Sequence, residues 1–202
     1  MIEADGKKND CLIKKIITLF PDLPFKYLDR NKLIRHKIFK TLSSYFLTDD
    51  ERAEYLGLPE GCRIREGVKI FSQENLEIGP YCWIGENAIL DASGGLKIGS
   101  HTSIGPSVFI WTHSSHLANL DKKNIINSKL IQKKPTKIGS RCFIAGPSVI
   151  MPGVTIGDMV VVKPFSRIEK NIPDRSIVDG NDIKAGILSD QIIDRMKRKI
   201  NL

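Results

Sequence analysis

Aliphatic residues recur through the middle of the chain at an interval of six: Ile64, Ile70, Leu76; Ile78, Ile84, Leu90; Ile98, Ile104, Ile110; Ile138, Ile144, Ile150; and Ile156, Val162, Ile168. Glycine often follows the aliphatic (Gly79, Gly85, Gly99, Gly105, Gly139, Gly157). Four places after it stands a small residue: Cys82, Ala88, Thr102, Val108, Cys142, Ser148, Val154, Val160 or Ser166. A helix of 3.6 residues per turn cannot generate this spacing. One aliphatic and one small side chain turned inward every six residues describe a short strand and a tight corner. Glycine suits corners where torsions are unusual or two backbones approach closely. Three units close a triangular coil of 18 residues, and stacked coils set each aliphatic on its counterpart. The pattern predicts an all-β chain folded as a parallel β-helix. In that register Cys82 and Cys142 take the small inward position and read as buried apolar residues.

The rhythm breaks three times. A step of two separates Leu76 from Ile78, a step of eight separates Leu90 from Ile98, and 28 residues separate Ile110 from Ile138. Long irregular excursions inside a compact domain are usually functional. This one leaves the scaffold through "IWTHSSH", which holds His113 and His116.

Outside the repeat the periodicity turns helical. "RNKLIRHKIFKTLSSYF" spaces Leu33, Ile34, Ile38, Leu42 and Phe46 as a helix does, with His36 as a surface or packing residue. Thr48 followed by Glu51 is a capping-box signature for a second short helix. "SDQIIDRMKRKI" reads as a basic C-terminal helix. The expected organisation is a helical cap over residues 1–60, a β-helix over 61–185 and a helix over 186–202. The N-terminal helices would cover the open end of the first coil, whose strand edges and apolar side chains are otherwise exposed.

Composition narrows the partners. With 31 Lys+Arg against 23 Asp+Glu the formal charge is +8, which favours an anionic partner. No aromatic-and-basic groove motif accompanies it, so nucleic acid is not expected. Four cysteines without CxxC spacing, and a charged stretch over residues 1–10 in place of a secretory signal, suggest a reduced, cytoplasmic protein. The apolar run "CLIKKIITLF" is short and broken by Lys14 and Lys15. No transmembrane segment is therefore expected, and at most the protein leans on the inner face of the membrane.

With these features the chain resembles the hexapeptide-repeat acyltransferases, in particular the maltose, galactoside and polysaccharide O-acetyltransferases. The resemblance covers about 60 per cent of the chain, residues 64–185, and is most specific in "LDASGGLKIG", "IWTHSSH", "KIGSRCFIAGPSVIMPGVTIGD" and "KNIPDRSIVDGN". It implies a left-handed parallel β-helix, a homotrimer, and transfer of acetyl from acetyl-CoA to a saccharide hydroxyl, in the assembly of a surface glycan. A catalytic histidine lies in these enzymes where a coil ends and the long loop begins, and patterns such as "YTHDH" or "YSHD" align with "WTHSSH". His113 and His116 are thus the catalytic candidates, His113 the favoured base and His116 an orienting residue. Imidazole, with an ordinary pKa of about 6.5, can accept a hydroxyl proton near neutral pH.

The resemblance also places Ala145 and Gly146 beside the thioester, as small residues and oxyanion donors. It sets Lys163, Arg167, Lys170 and Lys184 along the CoA groove, Lys170 matching a lysine of relatives that carry "VVTKDVP". Asn87 and Asp91, one coil before the histidines, are candidates for acceptor hydroxyls. The chain departs from its relatives at "PFSRI" for "SGAVV", at "GNDIK" for "GNPAK", and at Phe143, commonly tryptophan; these bear on the CoA contacts.

Three other readings stay open at this level. One is an acyltransferase whose donor is carried on an acyl carrier protein. Another is a non-catalytic β-helix that serves as scaffold or binding module. The third is a zinc site like that of the gamma-class carbonic anhydrases. Those enzymes typically place two histidine ligands five residues apart and a third one coil earlier, and this chain lacks that pattern, so no metal is expected; His101 is the only spare candidate.

Overall fold

The structure, a computed structural model, describes residues 45–121 and 128–199. The helical pattern between Leu33 and Leu42, with His36 and Cys11, lies outside these residues. The six-residue spacing closes into about five triangular coils whose strands build three parallel sheets. The first face stacks Arg63–Ile64, Trp83–Ile84, Ser103–Ile104, Phe143–Ile144, Val161–Val162 and Ile177–Asp179. The second stacks Lys69–Phe71, Ile89–Asp91, Phe109–Ile110, Val149–Ile150 and Arg167–Ile168. The third stacks Leu76–Ile78, Leu96–Ile98, Thr136–Ile138 and Thr155–Ile156.

Register puts like on like: Ile64, Ile84, Ile104, Ile144, Val162 and Val178 form one column, and Ile70, Leu90, Ile110, Ile150 and Ile168 another. Nearly all of these side chains are buried. The small inward residues fill the remaining space, Cys82 and Cys142 among them, and burial pushes the Cys82 thiol up to about 11. The two short interruptions have a common cause. Strands on the third face carry two inward residues in each of the first two coils, so Leu76 and Ile78 stack on Leu96 and Ile98. Faces also differ outside. The first presents Trp83, Phe143, Val161 and Ile177 outward and the second Ile89, Phe109 and Val149, whereas the third presents Glu77, Lys97 and Lys137.

The recurring glycines owe their place to contact and not to torsion. Left-handed backbone falls instead on corner residues such as Tyr81, Asn87, His101 and Arg141, with φ between 56° and 59°. A Cβ on Gly105 would stand 2.5 Å from the Gly146 nitrogen, and one on Gly146 would fall inside the Pro106 carbonyl oxygen. Backbone on backbone cannot yield by a rotamer change. Gly146→Ala is therefore expected to cost about 3 kcal/mol, which lowers Tm by roughly 6–12 °C in a chain of this size. Thermal unfolding of the variant measures this, and a Tm equal to the parent's would refute the packing argument.

At the N-terminal end Thr48 and Glu51 form the capping box of helix Asp49–Tyr55: the Thr48 hydroxyl accepts the Glu51 N–H at 3.4 Å, and Glu51 Oε2 accepts the Thr48 N–H at 2.8 Å. Ala53 from this helix joins the core, and Arg52 donates at 2.5 Å to the Ile64 carbonyl of the first coil. The helix thus packs on the Ile64 side of the first coil, whose Ile70, Leu76 and Ile78 are only partly buried. The last strand pairs antiparallel with Asp182–Lys184, and helix Asp190–Lys199 follows. Among the described residues no helix is long and apolar enough to cross a membrane.

Candidate active site

The long excursion leaves the second face after Ile110 and departs and returns as a two-stranded antiparallel ribbon. His113 pairs with Lys133 and Ser114 with Gln132. Trp111 still donates to the Ile150 carbonyl at 3.0 Å, so the ribbon is rooted in the sheet. Its root is anchored through Thr112, fully buried, whose carbonyl accepts the Lys134 N–H at 2.8 Å and whose hydroxyl accepts the Gly94 N–H at 2.8 Å.

Beneath this root, one coil earlier, lies Asp91, 1% exposed. Oδ1 accepts the Ser93 N–H at 3.0 Å. Oδ2 accepts the Thr112 N–H at 2.8 Å, the Thr112 hydroxyl at 3.1 Å and His113 Nδ1 at 2.7 Å. Burial acts to raise the Asp91 pKa, but the donors from Thr112, Ser93 and His113 outweigh it and bring it down to about 2. An ionised carboxylate only accepts, so His113 Nδ1 must carry the proton. Ser93 Oγ, 2.9 Å from the same nitrogen, shares that proton. Nε2 is left with its lone pair, on a side chain one-third exposed. The Trp111 ring stands edge-on to the imidazole, with centroids 6.3 Å apart. A buried carboxylate, a fixed tautomer and a part-exposed ring nitrogen form an arrangement with the chemistry to accept a proton from a hydroxyl brought to it.

This corrects the role read for Asp91 as an acceptor-binding residue. Both oxygens are occupied by protein donors, and the side chain has almost no surface left for a ligand. Asn87 is an exposed corner residue in left-handed backbone, its amide donating to Glu86 Oε1 at 3.3 Å. His116 opens the short helix His116–Leu120 of the excursion, exposed, with Nδ1 2.7 Å from Ser114 Oγ. Among the described residues no carboxylate orients it as Asp91 orients His113. His101 stacks on Tyr81 at an outward corner, ring centroids 5.1 Å apart, and among the described residues no group of three His, Cys, Asp or Glu is placed to hold a metal.

On the fourth coil Ala145 and Gly146 separate. The Ala145 N–H donates to the Val162 carbonyl at 2.9 Å, so it is spent within the sheet and cannot serve as an oxyanion donor. Gly146 N–H has no partner among the described residues and keeps that possibility. The basic residues fall into two pairs. Arg167 and Lys170 line a cleft of about 140 Å³ with Gly180 and Asn181. Lys163 binds Asp179 at 2.6 Å, and both Lys163 and Lys184 hold that carboxyl below its usual range.

No protein-family model matches the chain. It is 33% identical over 118 residues to WcaF of Escherichia coli K12, a protein named for colanic acid biosynthesis acetyltransferase activity, covering 58% of this chain and 61% of WcaF. Over 114 residues it is 33% identical to nodulation protein L of Rhizobium leguminosarum bv. viciae, covering 55% and 58%. The chain thus spans about three fifths of the length of these relatives. A hexapeptide-repeat acetyltransferase from Vibrio cholerae superposes with a TM-score of 0.63 at 24% identity, over 74% of this chain and 87% of that one. The chain is similar in part to proteins named as acetyltransferases and shares the β-helix fold of a hexapeptide-repeat acetyltransferase.

In this hexapeptide-repeat protein, the sequence alone places the histidines at the loop mouth but does not reveal the residues that hold them. Ser93, Thr112 and Lys133 carry no motif. The register supplies one usable signal: Leu90 stacks on Ile110, so Asp91 must lie directly below Trp111, within reach of Thr112 and His113.

Proposed function

We propose that the protein is an acetyl-CoA-dependent O-acetyltransferase that acts on a saccharide hydroxyl in the cytoplasm. The observation that carries this reading is the His113 Nδ1 bond to buried, ionised Asp91, which leaves Nε2 as a base at the mouth of the excursion. Nε2 takes the acceptor hydroxyl proton as that oxygen attacks the thioester carbon. Gly146 N–H supplies a donor to the oxyanion that forms. Collapse breaks the C–S bond, and the imidazolium returns its proton to the departing thiolate. Lys170 and Arg167, the latter paired with Glu169 in the same cleft, are the cations that would meet the phosphates of CoA. Support comes from the V. cholerae neighbour, whose second structure is complexed with acetyl-CoA, and from the relatives named for colanic acid biosynthesis and nodulation.

The direct test offers acetyl-CoA and a panel of saccharides to the protein and follows free thiol together with product mass. Saccharide-dependent thiol release with gain of one acetyl group is expected; thiol release that ignores the saccharide counts against the reading.

A homotrimer belongs to the same proposal. The first two faces present apolar residues outward in the second and fourth coils (Trp83 with Ile89, Phe143 with Val149), and the third presents Glu77, Lys97 and Lys137, which suits a ring in which unlike faces meet. Light scattering is expected to give three times the chain mass of 22.7 kDa. A stable, active monomer would overturn this.

A further inference from the structure

The excursion brings back more than a strand. Residues 121–137 hold six lysines against a single aspartate, a strongly basic stretch. Ribbon pairing sets one of these lysines, Lys133, directly across from His113. Directly opposed residues of an antiparallel pair project from the same face, with Cβ atoms about 4.5–5.5 Å apart. Lys133 is exposed, and among the described residues it joins no ion pair. The adjacent carboxylate cannot neutralise it, because Asp91 is buried under Thr112 and His113 with both oxygens occupied.

We propose that Lys133 makes the acceptor site selective for an anionic saccharide, one that carries a carboxylate or phosphate close to the hydroxyl to be acetylated. The inference rests on the reading of His113 as the base that receives the acceptor. The acetyl donor does not account for the cation. The phosphates of CoA lie at the far end of a neutral pantetheine arm, whereas the atoms that meet at His113 are an uncharged thioester and the acceptor. An ammonium beside the base has work only if the acceptor brings negative charge to it. A lysine, as a flexible point charge, accepts either a carboxylate or a phosphate without demanding a planar partner. The positive charge of Lys133 would draw such an acceptor toward His113, an attraction that weakens as salt rises.

The test compares glucuronic acid, glucose 1-phosphate and glucose as ligands of the full chain saturated with CoA, by titration calorimetry or ligand-observed NMR, in the parent and in Lys133→Gln. The parent is expected to bind one or both anionic sugars roughly tenfold more tightly than glucose, with a preference that falls as salt is raised. Whichever of the two binds better identifies the anionic group. In Lys133→Gln that preference is expected to vanish while CoA affinity stays at the parent's value. A parent that binds glucose as tightly as the anionic sugars overturns the proposal. So does a variant that loses CoA affinity and keeps its sugar preference, since Lys133 would then serve the donor. Anion-selective binding that depends on Lys133, in a protein that transfers no acetyl group, upholds the anion site and removes the acyltransferase reading instead.

Discussion

His113→Ala is expected to lower kcat by about 10²–10⁴-fold, the usual contribution of a general base, while thermal stability and CoA affinity stay near the parent's. The ring is one-third exposed and outside the aliphatic columns, so truncation opens no cavity in the coils. It does remove one of the donors to Asp91, but the Thr112 N–H and hydroxyl remain on Oδ2 and the carboxylate stays satisfied. His116→Ala is expected to cost much less, because among the described residues His116 has only the Ser114 hydroxyl as a partner and no carboxylate to fix its tautomer. Steady-state kinetics on the two variants decide the matter. Greater damage from His116→Ala with CoA affinity intact would reverse the assignment, and full activity in both would end the catalytic reading of "WTHSSH".

Asp91→Asn is expected to lower kcat by roughly 10²-fold or more, through charge and tautomer together. Every partner of Asp91 is a donor: Ser93 N–H on one oxygen, and Thr112 and His113 on the other. An amide that keeps its oxygen toward Thr112 turns its NH₂ against the Ser93 N–H and offers no negative charge to the imidazolium. Turned the other way it donates to Nδ1 and moves the base's proton to Nε2, where no base is left.

The same substitution changes the response to acid. Asp91 has a pKa of about 2 in the fold against 3.8 ordinarily, so its contribution is fully present above about pH 4. It is lost as the pH falls toward 2. The difference amounts to about 2 kcal/mol. Denaturant unfolding of parent and variant should therefore converge by that order between pH 5 and pH 2. A stability gap that stays constant across that range would contradict the ionised, donor-saturated Asp91.

The coils are legible in the sequence because a six-residue strand-and-corner unit imprints its geometry on the chain one residue at a time, as the Ile64 and Ile70 columns show. Position along the repeat likewise places "WTHSSH" at the exit of the scaffold. The glycines after each aliphatic are legible as necessary, but not for the right cause: a clash such as that of Gly105 with Gly146 becomes visible only once coils are stacked. By sequence Asp91 looks like a surface acid at the end of a strand. Its burial depends on Thr112 closing over it from the next coil, which no local pattern announces. Lys133 is hidden for a related reason, since antiparallel pairing inside an irregular excursion leaves no period to count. Ala145 fails as an oxyanion donor because its N–H belongs to the ladder with Val162.

The bond between Asp91 and His113 also limits how such a chain can change in length over evolutionary time. Repeat folds lengthen and shorten by whole units, since a duplicated coil meets the same neighbours as its parent. Residues 91 and 113 belong to successive coils, and an extra coil between them would part them by about another 4.8 Å, the spacing of neighbouring strands. A 2.7 Å contact does not survive that. Duplication is thus free to act before Ile89 or after Ile150, and the tract between them is fixed in coil number, while the sequence of the excursion's tip remains open to drift and to new acceptors.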